Sequence, residues 1–215
     1  GRLHQMFEQT ESTHYAGFLT AGKCFRYAAA KTKAYKGNRK YGDKPIIFYA
    51  LKEYLRQEWN FTSIPELEAD DLVSIYHDND TVICSPDKDV LYQNTGKHYN
   101  YGKAEFVEVT ETEALTFLWK QMLMGDSGDG IQGIPKVGEK TAEAWLQSPN
   151  TDQMPTFVLQ KYIEKFGFAL GISKFAETFK LIYILKCEID VHRETGIELN
   201  PLTSYEIKKQ DDLWE

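Results

Sequence analysis

Three acidic clusters punctuate the chain: Glu68-Ala69-Asp70-Asp71, Asp87-Lys88-Asp89 and Asp126-Ser127-Gly128-Asp129. Carboxylates gathered at one place cannot all stay ionised without a counter-charge, because like charges a few ångströms apart raise one another's pKa. Hard divalent cations that prefer oxygen, Mg²⁺ or Mn²⁺, supply that charge. Two of them about 4 Å apart clamp the attacking and leaving oxygens of phosphodiester hydrolysis. Each cluster also has a plainer reading. Acids at a helix N-terminus complement its dipole, "PDKD" is an ordinary turn, and "GDSGDG" is a flexible loop. Two rival chemistries for the third cluster fail. A serine protease with GDSG needs an all-β scaffold and a partner His and Asp, whereas helices follow here. A calcium loop counted from Asp126 would place Gly128 third and Val137 twelfth, where acids are required.

Basic residues make a second constellation. Lys31, Lys33, Lys36, Arg39, Lys40, Lys44, Lys52 and Arg56 stand against Asp43 and Glu53, in a chain whose formal charge is −7. Tyr35, Tyr41, Tyr49 and Tyr54 are interleaved. The plain reading is a solvated surface; the sharper one is a phosphate-binding stretch with stacking side chains. Lys36 and Arg39 lie three apart, so on a helix they would share a face. There Arg would clamp a phosphate bidentately and Lys would supply a point charge. "GIPKVGEKTAEAWL" (133–146) sets Gly133 and Gly138 around a tight turn feeding a helix. With Lys140 beside its free N–H groups, this is an anion site of the helix-hairpin-helix kind, which grips DNA backbone without reading sequence. Its plainer reading is a glycine turn between helices.

The elements that must position these groups follow from periodicity. "HYAGFLT" (14–20), "TVICS" (81–85) and "KAEFVEVT" (103–110) read as strands, the second opening into the Asp87 loop. Residues 44–59 have helical periodicity through Ile47, Ala50, Leu51, Tyr54 and Leu55, with Pro45 suited to the first turn. A short helix starts near Glu68. Thr110 and Glu113 form a capping box before a helix striped by Leu115, Leu118, Trp119, Met122 and Leu123, and Gly125 is its glycine cap. Helices are then expected over "KTAEAWLQ", "FVLQKYIEKFG" and "ISKFAETFKLIYILK". The fold class is therefore α/β, a mostly parallel sheet flanked by helices with a helical C-terminal half. The division is 1–110, 111–202 and a polar tail, 203–215. In such sheets ligands gather beyond the carboxyl ends of the strands, where Asp87 lies. Three widely spaced cysteines (Cys24, Cys84, Cys187) fit no disulfide or zinc pattern, so a reducing compartment is the default. No stretch has the length of a membrane span.

In order, "YKGNR" (35–39), "EADD" (68–71), "SPDKD" (85–89), "GDSGD" (125–129) and "GIPKVGEKT" (133–141) resemble the motifs of the structure-specific 5′-nuclease family. That family comprises bacteriophage 5′→3′ exonucleases, flap endonucleases and the 5′-nuclease domain of bacterial DNA polymerase I. The resemblance implies a PIN-like fold and a two-metal nuclease acting on DNA near a 5′ end or flap, leaving a 3′-hydroxyl and a 5′-phosphate. By motif position, Glu68 and Asp70 would hold the catalytic metal; Asp71, Asp87, Asp89, Asp126 and Asp129 would hold or orient the second. Lys36 and Arg39 would steady the scissile phosphate with Lys40 nearby, and Tyr35 would stack on a terminal base. Gly133, Lys136, Gly138, Lys140 and Thr141 would bind duplex backbone, and a K⁺ ion would sit on main-chain oxygens around Ile134 and Val137. A monomer in the cytoplasm, a host's if phage-encoded, is expected.

Three departures qualify the resemblance. The family's first strand brings an aspartate to the metals, whereas residues 1–11 here read as the tail of a helix, so the N-terminus is expected to be missing. Thr20 stands where another metal-binding aspartate is usual. Residues 40–67 leave room only for a short or open arch. The alternative is a catalytically impaired protein that binds branched DNA without cutting.

Overall fold

The computed structural model describes residues 1–39, 44–200 and 207–209. Lys40, Tyr41, Asp43 and the expected tail other than 207–209 lie outside the described residues.

Helix α1 (Arg2–Thr10) precedes β1 (His14–Tyr15). The expected strand over 14–20 is reduced to β1 and a parallel bridge from Phe18 to Thr62. After α2 (Phe25–Ala29) comes α3 (Ile46–Trp59), with Pro45 at its cap. The periodic apolar positions of α3 do form a helix, but none of its residues is buried. Helix α4 (Ala69–Ile75) begins at Glu68, whose N–H donates to the Asp71 carboxylate at 3.2 Å.

Strand β2 (Ile83–Cys84) ends at the Asp87 loop, and Asp87 caps α5 (Lys88–Gln93) by accepting the Asp89 N–H at 2.9 Å. Strands β3 (Gly96–Asn100) and β4 (Glu105–Val109) complete a sheet ordered β2-β3-β4. Among the described residues, parallel pairing is confined to β2–β3, which aligns Ile83 with His98, and to two isolated bridges; β3–β4 is antiparallel.

Helix α6 (Glu111–Met124) carries the expected capping box and buries Leu118, Trp119, Met122 and Leu123. Gly125 ends it at φ 77° and enters a tight ribbon of β5 (Gly125–Asp126) and β6 (Ile131–Gln132). A Cβ on Gly125 would sit 2.3 Å from the Gly133 nitrogen, and one on Gly133 2.3 Å from the Gly125 nitrogen. Only glycines permit this approach, which fixes the base of the Asp126–Asp129 loop.

Helices α7 (Glu139–Leu146), α8 (Met154–Phe166), α9 (Phe168–Ile182) and α10 (Glu188–Thr195) follow, and β7 (Lys208–Lys209) returns to pair with β1. The helix expected through Lys186 stops at Ile182, because Ile184 and Leu185 are buried in an extended segment. Their N–H groups donate to Gln93 and Asp71 rather than to a helical ladder. Three apolar clusters meet at this segment. Ile182 belongs with Trp119, Met122, Val158 and Tyr162; Ile184 with Ile83, Val90 and Leu91; Leu185 with Phe25, Leu72 and Val191. No helix among the described residues is long and apolar enough to cross a membrane.

Candidate functional site

The acidic clusters arrive at one region on the starts of α4 and α5 and on the β5–β6 loop, but they fall into two chemically different sets. In the first, each carboxylate has a cation. Arg26 is 3% exposed and grips Asp71 with two bonds of 2.7 Å, while a third donation reaches the Tyr183 carbonyl at 2.8 Å. Burial opposes the Arg26 charge, yet Asp71 more than compensates and holds its pKa above the ordinary range. Lys36 donates to Glu68 at 2.5 Å and lies 3.6 Å from Asp129, which also pairs with Arg39. Burial works against the Lys36 charge too, but Glu68 and Asp129 keep its pKa raised.

The second set comprises Asp70, Asp87, Asp89 and Asp126. Among the described residues its only ion pair is a loose one, Lys88 at 4.0 Å from Asp89. Burial first, then the charges of Asp87, Glu68 and Asp71, push Asp70 up to about 7. Burial first, then Asp87 and Asp126, push Asp89 up to about 6, against a moderating hydrogen bond from Gln121. Carboxylates from three separate segments therefore repel one another across a shared space. Among the described residues, no three His, Cys, Asp or Glu side chains converge into a ready cage for an ion. The set lies along a rim rather than around a point.

The basic loop corrects the helical expectation. Residues 35–38 form a turn, and Lys36 adopts φ 53°. Its N–H donates to the Asp129 carbonyl at 2.7 Å, and the Asn38 amide donates to the Ser127 carbonyl at 2.7 Å. The turn is thus stitched to the third acidic loop, which brings Lys36 and Arg39 to one carboxylate by another route. Left-handed backbone at a lysine is strained, and such strain concentrates at functional sites.

Tyr35 does not fit its expected stacking role. It is 4% exposed, with its hydroxyl 2.9 Å from Glu68 and 3.1 Å from Asp129. Burial and the Glu68 charge raise its pKa far above a free phenol, so it serves as a neutral donor inside the wall. Asp71, expected to hold or orient the second metal, is placed against holding it: it is fully buried, and both its oxygens are taken by Arg26, Glu68 N–H and Leu185 N–H. Thr20, in the usual aspartate place, accepts the Ala69 N–H at 3.0 Å beside Asp70, while its carbonyl receives Lys52. Lys136, Gly138, Lys140 and Thr141 are exposed around the start of α7. Ile134 is buried, and its carbonyl accepts the Val137 N–H at 3.1 Å to close the turn. The spacing-based reading passes over Arg26 and Gln121. Arg26 has a visible signal, a lone base within "CFRYAAA"; Gln121 has none.

No family model matches the chain. Over 134 residues, 54% of this chain and 41% of the other, it is 32% identical to an exodeoxyribonuclease of Enterobacteria phage T3. Over 163 residues, 65% of this chain and 18% of the other, it is 31% identical to a DNA polymerase I of Streptococcus pneumoniae. The match thus spans less than half of either relative's length. Among solved structures, the chain superposes on a bacteriophage T5 flap endonuclease complexed with DNA and metal ions. The TM-score is 0.64 at 19% identity, over 88% of this chain and 81% of that one. A T5 5′-exonuclease with bound zinc gives a TM-score of 0.61 at 19% identity, over 98% of this chain and 84% of that one. The chain thus resembles 5′-nucleases over part of its sequence and in its fold. Its α/β architecture is the PIN-like fold of those T5 proteins. Asp87 and Asp89 lie beyond the carboxyl end of β2 at the start of α5, the usual ligand place in an open α/β sheet.

Proposed function

We propose that this protein is a divalent-metal-dependent 5′→3′ exonuclease or flap endonuclease. It would hydrolyse phosphodiester bonds near DNA 5′ ends to give 3′-hydroxyl and 5′-phosphate products. The observation that carries this reading is the gathering of Asp70, Asp87, Asp89 and Asp126, with Asp87 adding to the burial that raises Asp70 and Asp89, beside a turn presenting Lys36 and Arg39. An all-oxygen, anionic donor set suits Mg²⁺ or Mn²⁺. A spread of carboxylates suits it further, since Mg²⁺ keeps several waters and takes one or two carboxylates. Asp70, Asp87, Asp89 and Asp126 would hold two such ions, with Glu68 and Asp129 behind them. When bound, they supply Lewis-acid stabilisation of phosphoryl oxygens and an activated water.

The chain's own residues do the positioning. Lys36 and Arg39 exchange their carboxylate partners for the scissile phosphate and neutralise charge that builds on it. Gly133, Lys136, Gly138, Lys140 and Thr141, as a helix-hairpin-helix-type motif, hold the duplex by its phosphates. A K⁺ ion on the carbonyls of Ile134 and Val137 would stiffen that turn. The protein acts as a monomer in the cytoplasm, a host's if it is phage-encoded.

The second reading, a DNA binder that does not cut, draws support from Thr20. Its hydroxyl is engaged by Ala69, and no carboxylate stands at that place. The deciding experiment incubates 5′-labelled flap and blunt duplexes with Mg²⁺ or Mn²⁺, using this chain and Asp126→Asn. Metal-dependent cutting that the substitution abolishes while DNA binding persists is expected. Binding without cutting by the unsubstituted chain selects the second reading, and cutting indifferent to Asp126→Asn removes the site.

A further inference from the structure

A chain of buried amides leads from the protein interior to Asp89. Gln93, at the end of α5, donates through Nε2 to the Ile182 carbonyl at 3.0 Å and accepts the Ile184 N–H through Oε1 at 3.2 Å. A backbone carbonyl and a backbone N–H thus dictate which way this amide faces, and it cannot turn over without stranding both. The same Nε2 donates to Oε1 of Gln121 at 2.9 Å. With its oxygen so committed, Gln121 must present its own Nε2 outward, and this donates to Oδ1 of Asp89 at 2.8 Å. Gln93 and Gln121 are 5% and 6% exposed, so water does not compete for either amide. The direction of every bond follows from the backbone at Ile182 and Ile184.

From this geometry we infer that Gln121 is a positioning residue for Asp89, holding its carboxylate in one orientation toward a divalent cation. The inference rests on the metal-site reading given above and deepens it. An acceptor in place of the Gln121 donor would face Asp89 with a lone pair. An apolar group would leave Oδ1 only the loose Lys88 ammonium, 4.0 Å away and 70% exposed. In either case the carboxylate is no longer held for a cation. Gln93 acts one step further back, by fixing the sense of Gln121. Hydrogen-bonding partners behind metal-binding carboxylates set ligand orientation in this manner.

The test measures Mn²⁺ affinity of the DNA-free protein by electron paramagnetic resonance, for the unsubstituted chain, Gln121→Met and Asp89→Asn. Methionine keeps the length and burial of Gln121 and removes the donor. Gln121→Met should weaken Mn²⁺ binding about tenfold, leave the KM for flap DNA unchanged, and recover its kcat when Mn²⁺ is raised. A merely structural role would lower the melting temperature without moving the metal affinity. Unchanged affinity in Gln121→Met alongside weakened Asp89→Asn overturns the relay and leaves the metal site standing. Unchanged affinity in Asp89→Asn overturns both. Should Gln121→Met fail to fold, the unsubstituted chain still decides. The side-chain NH₂ resonance of Gln121 should shift with added Mg²⁺ along a saturating curve, and a resonance that does not move overturns the inference.

Discussion

The two halves of the acidic rim are built from the same residue types and treated in opposite ways. Glu68, Asp71 and Asp129 each meet a cation or a tyrosine hydroxyl inside the fold. Asp70, Asp87, Asp89 and Asp126 have amide donors or none, and among the described residues only Lys88, at 4.0 Å from Asp89, as a cation. The first half therefore contributes to folding, whereas in the second half Asp70 and Asp89 cost stability when ionised. A protein keeps an arrangement of the second kind where something outside the chain supplies the missing charge.

That contrast can be broken from the compensated side first. Arg26→Met should be the most damaging change in folding stability, since it leaves Asp71 buried and charged; a loss of roughly 3–5 kcal/mol is expected by urea denaturation. On the uncompensated side the sign reverses. Asp70 keeps its proton up to about 7 when folded against 3.8 for the free side chain, so the folded chain binds more protons across that window. Stability of the metal-free protein should therefore fall as pH rises from 3.8 to about 7. Asp70→Asn should flatten the slope and gain on the order of 2 kcal/mol at alkaline pH. Thermal melts across pH, with and without Mg²⁺, check both. Glu68→Gln keeps the shape but weakens the pairs to Arg26 and Lys36; about 1–2 kcal/mol should be lost in the same assay. Arg39 is half exposed, and Arg39→Ala should change stability by less than about 1 kcal/mol. Its effect should appear in cleavage instead, with kcat on flap DNA lowered about a hundredfold.

Much of this was legible in residue spacing, and the failures have physical causes. The capping box of Thr110 and Glu113, the stripe of α6 and the glycine at 125 are local signals, and each is realised. The same periodicity in α3 marks a helix but not its burial. Ile46 is 88% exposed and Ile47 72%, because whether a stripe finds a partner depends on distant chain. Acid clusters at the starts of α4 and α5 announced the site. Spacing could not divide them into compensated and uncompensated sets, since Arg26 reaches Asp71 across 45 positions. Tyr35 reads as an exposed stacking ring beside lysines, whereas the fold turns its hydroxyl inward to two carboxylates. The Gln93–Gln121 chain is invisible to spacing for a similar reason: its direction is set by backbone at 182 and 184, in a stretch whose apolar pattern reads as helix.

The extended run after α9 gives the molecule a mechanical property. Since Ile182, Ile184 and Leu185 each enter a different apolar cluster within four residues of chain, the three clusters should open together rather than piecemeal. The amides of Ile184 and Leu185 also hold Gln93 and Asp71, so hydrogen exchange at those two positions should report on the rim as faithfully as on the interior. The carboxylates at Asp71 and, through Gln93 and Gln121, at Asp89 are thereby tied to the segment where the three clusters meet.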